Sequence, residues 1–196
     1  MFTGIVVETG RVAGVAEGDC LRSIRIDASV ALEGLAVGDS VAVDGVCLTA
    51  VEVTQDGFTV EVMQESLDRS TLGDLGAGMR VNLERPMAAD GRFDGHIVQG
   101  HVDGVAKLRS RAEEGAAVRL WFEIDPRLLR YLVEKGSITL DGVSLTVTAV
   151  DGSGFEVSLI PHTLEVTGLG DRHVGDGVNV EVDVLAKYVE RLMEAR

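Results

Sequence analysis

The chain has 196 residues, 45% of them hydrophobic, with 24 glycines and a formal net charge of −14. That charge argues against nucleic acid or an anionic membrane as partner, since both need Lys/Arg surfaces, and no apolar run reaches the roughly 20 residues of a membrane span. The N-terminus, MFTGIVVETG, lacks the basic region and long apolar core of a secretory leader, so a soluble cytoplasmic protein is expected.

In chain order, the β-branched run Ile5-Val6-Val7 comes first, followed by a short helical candidate at Ser29 to Leu35. SVAVDGVCLTA at 40–50 carries Asp-Gly between two apolar runs, a strong hairpin signal, and Asp56-Gly57 turns the chain into Phe58 to Val62. Residues 126–134 predict a short helix, with Asp125 as N-cap and Pro126 in the first turn. Strand runs return at Ile138 to Val143 and at Phe155 to Leu159. Turn residues at intervals of about 8–12 predict an all-β Greek-key barrel or sandwich. A last helix is expected over 184–196, capped by Asp183, with Leu185, Tyr188, Val189 and Leu192 on one stripe. It covers either its own chain or the same helix of a second subunit.

The second half repeats the first. SITLDGVSLTV at 137–147 answers SVAVDGVCLTA at an offset of 97, and 18 of the 45 positions in 40–84 and 137–181 are identical. A repeat of this length is a domain, too long for a solenoid unit of roughly 20–50 residues. Two similar β-domains are therefore expected, 1–95 and 96–185, followed by a terminal helix, 186–196. Shared residues such as Asp44/Asp141, Gly45/Gly142 and Asn82/Asn179 read as turn formers. More informative are the places where the copies disagree: Cys47 against Ser144, Ile5 against His101, and Glu65 against His162. A lone thiol in an apolar strand is more often buried filler than nucleophile. His101 lies in a Gly-flanked, otherwise apolar stretch, and histidine is a common general acid or base. Cys20 and Cys47 fit neither a metal pattern nor a disulfide framework, and GHIVQGH spaces its histidines wrongly for helical metal ligands. Spacing alone stops at two similar barrels binding a small ligand.

MFTGIV, DGVCLT, the MQES segment, VNLER, GHIVQGHVDG, KGSITLDGVSLT, IPHTLE and VNVEVDVLAKYVERL occur in order along the whole chain. Together they resemble the riboflavin synthase family. One departure is Asp94, where the family often has the first glycine of a GGH; His96 and His101 stay in place. The resemblance implies two tandem six-stranded Greek-key barrels and a C-terminal helix. It also implies a transferase that passes a four-carbon unit between two molecules of 6,7-dimethyl-8-ribityllumazine, giving riboflavin and 5-amino-6-(D-ribitylamino)uracil. No metal or cofactor is implied. The partners would be the lumazine substrate, two further copies in a homotrimer joined by the terminal helices, and lumazine synthase. Each active site would form where the N-barrel of one subunit faces the C-barrel of another. The rival reading is a non-catalytic, antenna-type lumazine- or flavin-binding protein on the same duplicated barrel.

Carried over by motif, the N-barrel contacts are Gly4, Ile5 and Val6, then Cys47, Leu48 and Thr49, then Glu61, Val62, Met63, Gln64, Glu65 and Ser66. The C-barrel contacts are Gly100, His101 and Val102, then Lys135, then Ser144, Leu145 and Thr146. Ile160, Pro161, His162, Thr163, Leu164 and Glu165 complete that second pocket. For the chemistry, the expectation is His101 as proton shuttle, with Cys47, Ser144 or Thr146 assisting at the partner ring. Phe2 is expected to stack on or close the site, and Asp183 to help across the subunit contact or serve only as a helix cap.

Overall fold

The computed structural model describes residues 1–18 and 21–194; Cys20 and the last two residues of the expected terminal helix lie outside them. Among the described residues, twelve strands form two closed antiparallel barrels. The first comprises β1 (Glu8–Glu17), β2 (Leu21–Asp27), β3 (Ser40–Val43), β4 (Val46–Val53), β5 (Gly57–Met63) and β6 (Arg80–Glu84). The second comprises β7 (Gly104–Glu114), β8 (Ala117–Glu123), β9 (Ser137–Leu140), β10 (Val143–Val150), β11 (Gly154–Leu159) and β12 (Gly177–Val182). Around each barrel the order is the same, β1-β2-β5-β4-β3-β6 and β7-β8-β11-β10-β9-β12.

Alternation fills each interior. Ile24, Ile26, Val41, Phe58, Val60 and Leu83 pack the first barrel; Leu120, Phe122, Ile138, Leu140, Phe155 and Val157 pack the second. Phe122 and Phe155 stack with centroids 5.6 Å apart. Both Asp-Gly signals form the expected two-residue hairpins. Asp44 and Gly45 have φ of 45° and 77°, and Asp141 and Gly142 have 45° and 80°, the doubly positive geometry that favours Asp or Asn followed by Gly.

These two turns also join the barrels. They meet back to back, so a Cβ on Gly45 would lie 2.6 Å from the Gly142 nitrogen. Asn82 Nδ2 donates to the Asp141 carbonyl at 2.8 Å, and Asn179 Nδ2 donates to the Asp44 carbonyl at 2.9 Å. The symmetry breaks at one side chain, because Arg172 pairs with Asp141 at 2.7 Å while the aligned residue of the first half is Leu75. Asp44 Oδ2 has no hydrogen-bond partner among the described residues. Burial pushes both carboxyls up, with Arg172 opposing the rise at Asp141 and the Asp141 charge adding to it at Asp44.

Helices are α1 (Gln64–Arg69), α2 (Pro126–Leu129), α3 (Pro161–Val166) and α4 (Val184–Glu194). The helix expected over 126–134 stops at Leu129. Its Asp125 cap forms, accepting from the Arg127 nitrogen, but the chain then reverses through Lys135 at φ 66°. The Ser29–Leu35 candidate narrows to one 3-10 turn, Val30–Leu32. Sequence reading missed α1 and α3, each six residues and without a wholly buried side chain, so neither has an apolar stripe to reveal it.

Candidate functional site

Ile5-Val6-Val7 is not a strand of its own barrel, which begins at Glu8. The segment around it crosses to the other half. The Ser144 nitrogen donates to the Gly4 carbonyl at 2.7 Å, and the Cys47 nitrogen donates to the Gly100 carbonyl at 2.9 Å. Val6 packs against the second core and Val102 against the first. The expected groupings are therefore corrected: Gly4, Ile5 and Val6 border the Ser144 strand, while Gly100, His101 and Val102 border the Cys47 strand. A two-domain alignment cannot show this exchange, because it places each entry segment beside its own repeat.

Buried carboxylates hold the crossing segments. Glu84 accepts from the Thr3 and Gly4 nitrogens at 2.7 and 3.0 Å. Glu181 accepts from those of Gln99, Gly100 and His101 at 2.7, 2.8 and 3.0 Å. Charged acceptors make such bonds stronger than neutral ones, so this repeated Glu fixes the backbone beside each of the two strand edges. Gly4 and Gly100 have φ of 78° and 81°. A Cβ there would lie 2.6 Å from the Ser144 Cβ or 2.5 Å from the Cys47 Cβ, so both contacts require glycine. The two segments also pair with each other through Phe2 and Val98.

The surroundings of Cys47 and Ser144 differ. Half-buried Cys47 packs with Phe2, Ala42 and Val98. Phe2 is fully buried, so it underlies the crossing instead of presenting a ring to a ligand. Ser144 sits in a polar nest: its Oγ is 2.7 Å from His96 Nδ1, and His96 Nε2 is 3.1 Å from the Thr139 hydroxyl. Burial pushes the His96 imidazole down, with the Asp183 charge opposing. Asp183 also caps α4, accepting from the Leu185 nitrogen. His96 was not among the expected site residues; its place in the linker, without a partner in the repeat, hid it.

The remaining candidates line the adjoining surface. Exposed Thr49 and Thr146 continue outward from Cys47 and Ser144 on β4 and β10, and exposed His101 continues from Gly100. Leu48 and Val62 turn into the first core, leaving only their backbone for a ligand, while half-buried Leu145 and Leu164 pack against the second. Glu61, Met63, Gln64 and Glu65 are exposed where β5 runs into α1, with Ser66 half-buried on that helix. Glu65 is engaged by Arg69. Lys135, Ile160, Pro161, His162 and Glu165 are exposed on the second barrel, with Thr163 half-buried.

The polar side of α4 docks on its own barrel. Lys187 Nζ meets Asp103 Oδ1 at 2.6 Å, and Glu190 engages Tyr131 and Arg130. Leu185, Tyr188, Val189 and Leu192 are exposed, Tyr188 and Leu192 over 62% and 71% of their surface. Among the described residues, its own chain leaves this stripe uncovered. No described helix is long and apolar enough to cross a membrane.

The lumazine binding domain family matches residues 3–86 and again 99–183. Riboflavin synthase of Mycobacterium tuberculosis strain H37Rv is 51% identical over 208 residues, covering 100% of this chain and 99% of its own. That of Actinobacillus pleuropneumoniae is 45% identical over 195 residues, covering 98% and 90%. Among solved structures, LumP complexed with riboflavin superposes with a TM-score of 0.85 at 26% identity, covering 93% of this chain and 99% of that one. With a tandem lumazine binding domain and full-length relatives at such identity, the chain belongs to the riboflavin synthase family.

Proposed function

We propose that the protein is a riboflavin synthase, a transferase that moves a four-carbon unit between two molecules of 6,7-dimethyl-8-ribityllumazine. The duplicated, pseudo-symmetric pair of strand-edge surfaces carries this reading: two copies of one substrate call for two similar pockets, and unequal roles call for pockets that differ. Backbone groups beside Cys47 and Ser144 suit the hydrogen-bonding edge of a pyrimidinedione, and the exposed Thr49 and Thr146 hydroxyls suit a ribityl chain. Holding both rings in reactive geometry would supply much of the rate. The outward stripe of α4 supports a homotrimer in which the pockets of different subunits face each other.

Purified protein given dimethylribityllumazine alone should accumulate riboflavin fluorescence. Binding without turnover would instead favour the antenna-type reading, which the likeness to LumP keeps in view. His101, exposed beside Gly100 at the edge of the Cys47 strand, is assigned the proton shuttle. His101→Ala should lower kcat by about a hundredfold while lumazine affinity, read by fluorescence titration, stays within a few fold. An unchanged kcat removes His101 from the chemistry.

A further inference from the structure

The three-residue chain behind Ser144 has a direction. Thr139 is 1% exposed, and among the described residues its hydroxyl hydrogen-bonds with His96 alone. A buried hydroxyl proton needs an acceptor, and His96 Nε2 is the one within reach. A neutral imidazole that accepts at Nε2 carries its proton on Nδ1, so Nδ1–H donates to Ser144 Oγ. The Ser144 hydroxyl then keeps its own proton for whatever lies against the strand edge. Gly4 and Gly95 wall the serine closely: a Cβ on Gly95 would lie 3.3 Å from the Ser144 Cβ. The first barrel has none of this, since Ala42 and Cys47 align with Thr139 and Ser144 and pack with Phe2 and Val98.

We propose that His96 is a positioning residue which, anchored by Thr139, fixes the Ser144 hydroxyl as a hydrogen-bond donor to an acceptor on the lumazine ring in the second-barrel pocket, and that this relay makes the two pockets chemically unequal. The proposal rests on the riboflavin synthase reading and adds to it the group that distinguishes one substrate molecule from the other. A preorganised donor of this kind acts without reorganising during reaction.

The test is a substitution series read by kcat/KM for riboflavin formation, with lumazine affinity titrated alongside. An Asn side chain can place an N–H where Nδ1 stands, whereas Gln reaches only the Nε2 position. His96→Asn should therefore stay within about threefold of wild type, while His96→Gln and His96→Phe lose about tenfold or more. In a Ser144→Ala background, His96→Phe should cost nothing further, because its effect runs through the missing hydroxyl. Equal impairment of the Asn and Gln variants, full activity of His96→Phe, or losses that multiply with Ser144→Ala would each overturn the relay. A wild-type protein that binds lumazine without converting it would overturn the enzyme reading instead. The same series scored by affinity would then support or overturn the relay by the same pattern.

Discussion

Tyr188→Glu combined with Leu192→Glu should convert the protein to a monomer in sedimentation velocity and slow riboflavin formation by about a hundredfold. Both side chains are largely solvent-exposed in the single chain, so in a monomeric protein the pair would be nearly silent, surface substitutions usually staying within about 0.5 kcal/mol. The polar contacts that dock α4, Lys187 with Asp103 and Glu190 with Tyr131, remain intact, which makes this pair cleaner than deleting the helix. Two buried carboxylates at each contact would oppose reassociation. In the proposed homotrimer, activity should fall with assembly, because each reacting pair of pockets would draw on two subunits. Unchanged sedimentation would end the trimer reading.

Asp141→Asn should cost about 3 kcal/mol of folding stability, the lower end of the range for a broken buried pair because Arg172 keeps 25% of its side chain in water. For a chain of this size the melting point should drop by roughly 10 °C. Asp44→Asn, the same change at the repeat-related position, should be neutral or stabilising. Asn retains an oxygen for the Asn82 nitrogen now bound by Asp44 Oδ1 at 2.7 Å, tolerates the turn's positive φ, and breaks no ion pair. The pH dependence follows from the raised Asp44 carboxyl. A group whose pKa is higher folded than unfolded contributes stability that is complete below its unfolded value, about 3.9, and is lost as pH rises through the folded one. The advantage of Asp44→Asn should therefore grow with pH above about 4. Denaturant melts of both variants between pH 4 and 8 check the pair; equal costs would contradict the asymmetry.

Much of the fold was legible because the repeat and the Asp-Gly hairpins are local signals that tertiary packing did not override. The barrels, their turns and the amphipathic terminal helix followed from alternation and spacing. The short helices α1 and α3 did not, since six residues without a buried side chain carry no period. For the candidate site, the disagreement between Cys47 and Ser144 points to the strands that the entry segments border, but its meaning lies in neighbours far along the chain. Thr139 lies unmarked inside the strand run 138–143, and His96 stands out only as part of the GHIVQGH motif. The exchange of Gly4 and Gly100 depends on how two halves dock, which neither half encodes by itself. Asn82 and Asn179 were read as turn formers, and they also reach across to the opposite hairpin.

That exchange changes what counts as a module here. Each candidate pocket edge is assembled from one half's entry segment and the other half's hairpin strand, so the repeats cannot drift independently: a change at Gly4 is a change to the Ser144 surface, and one at Gly100 is a change to Cys47. A chimera joined in the linker, taking one half from each of two relatives, would therefore contain no pocket wholly inherited from either parent. Recombination at the apparent domain boundary splits both sites at once.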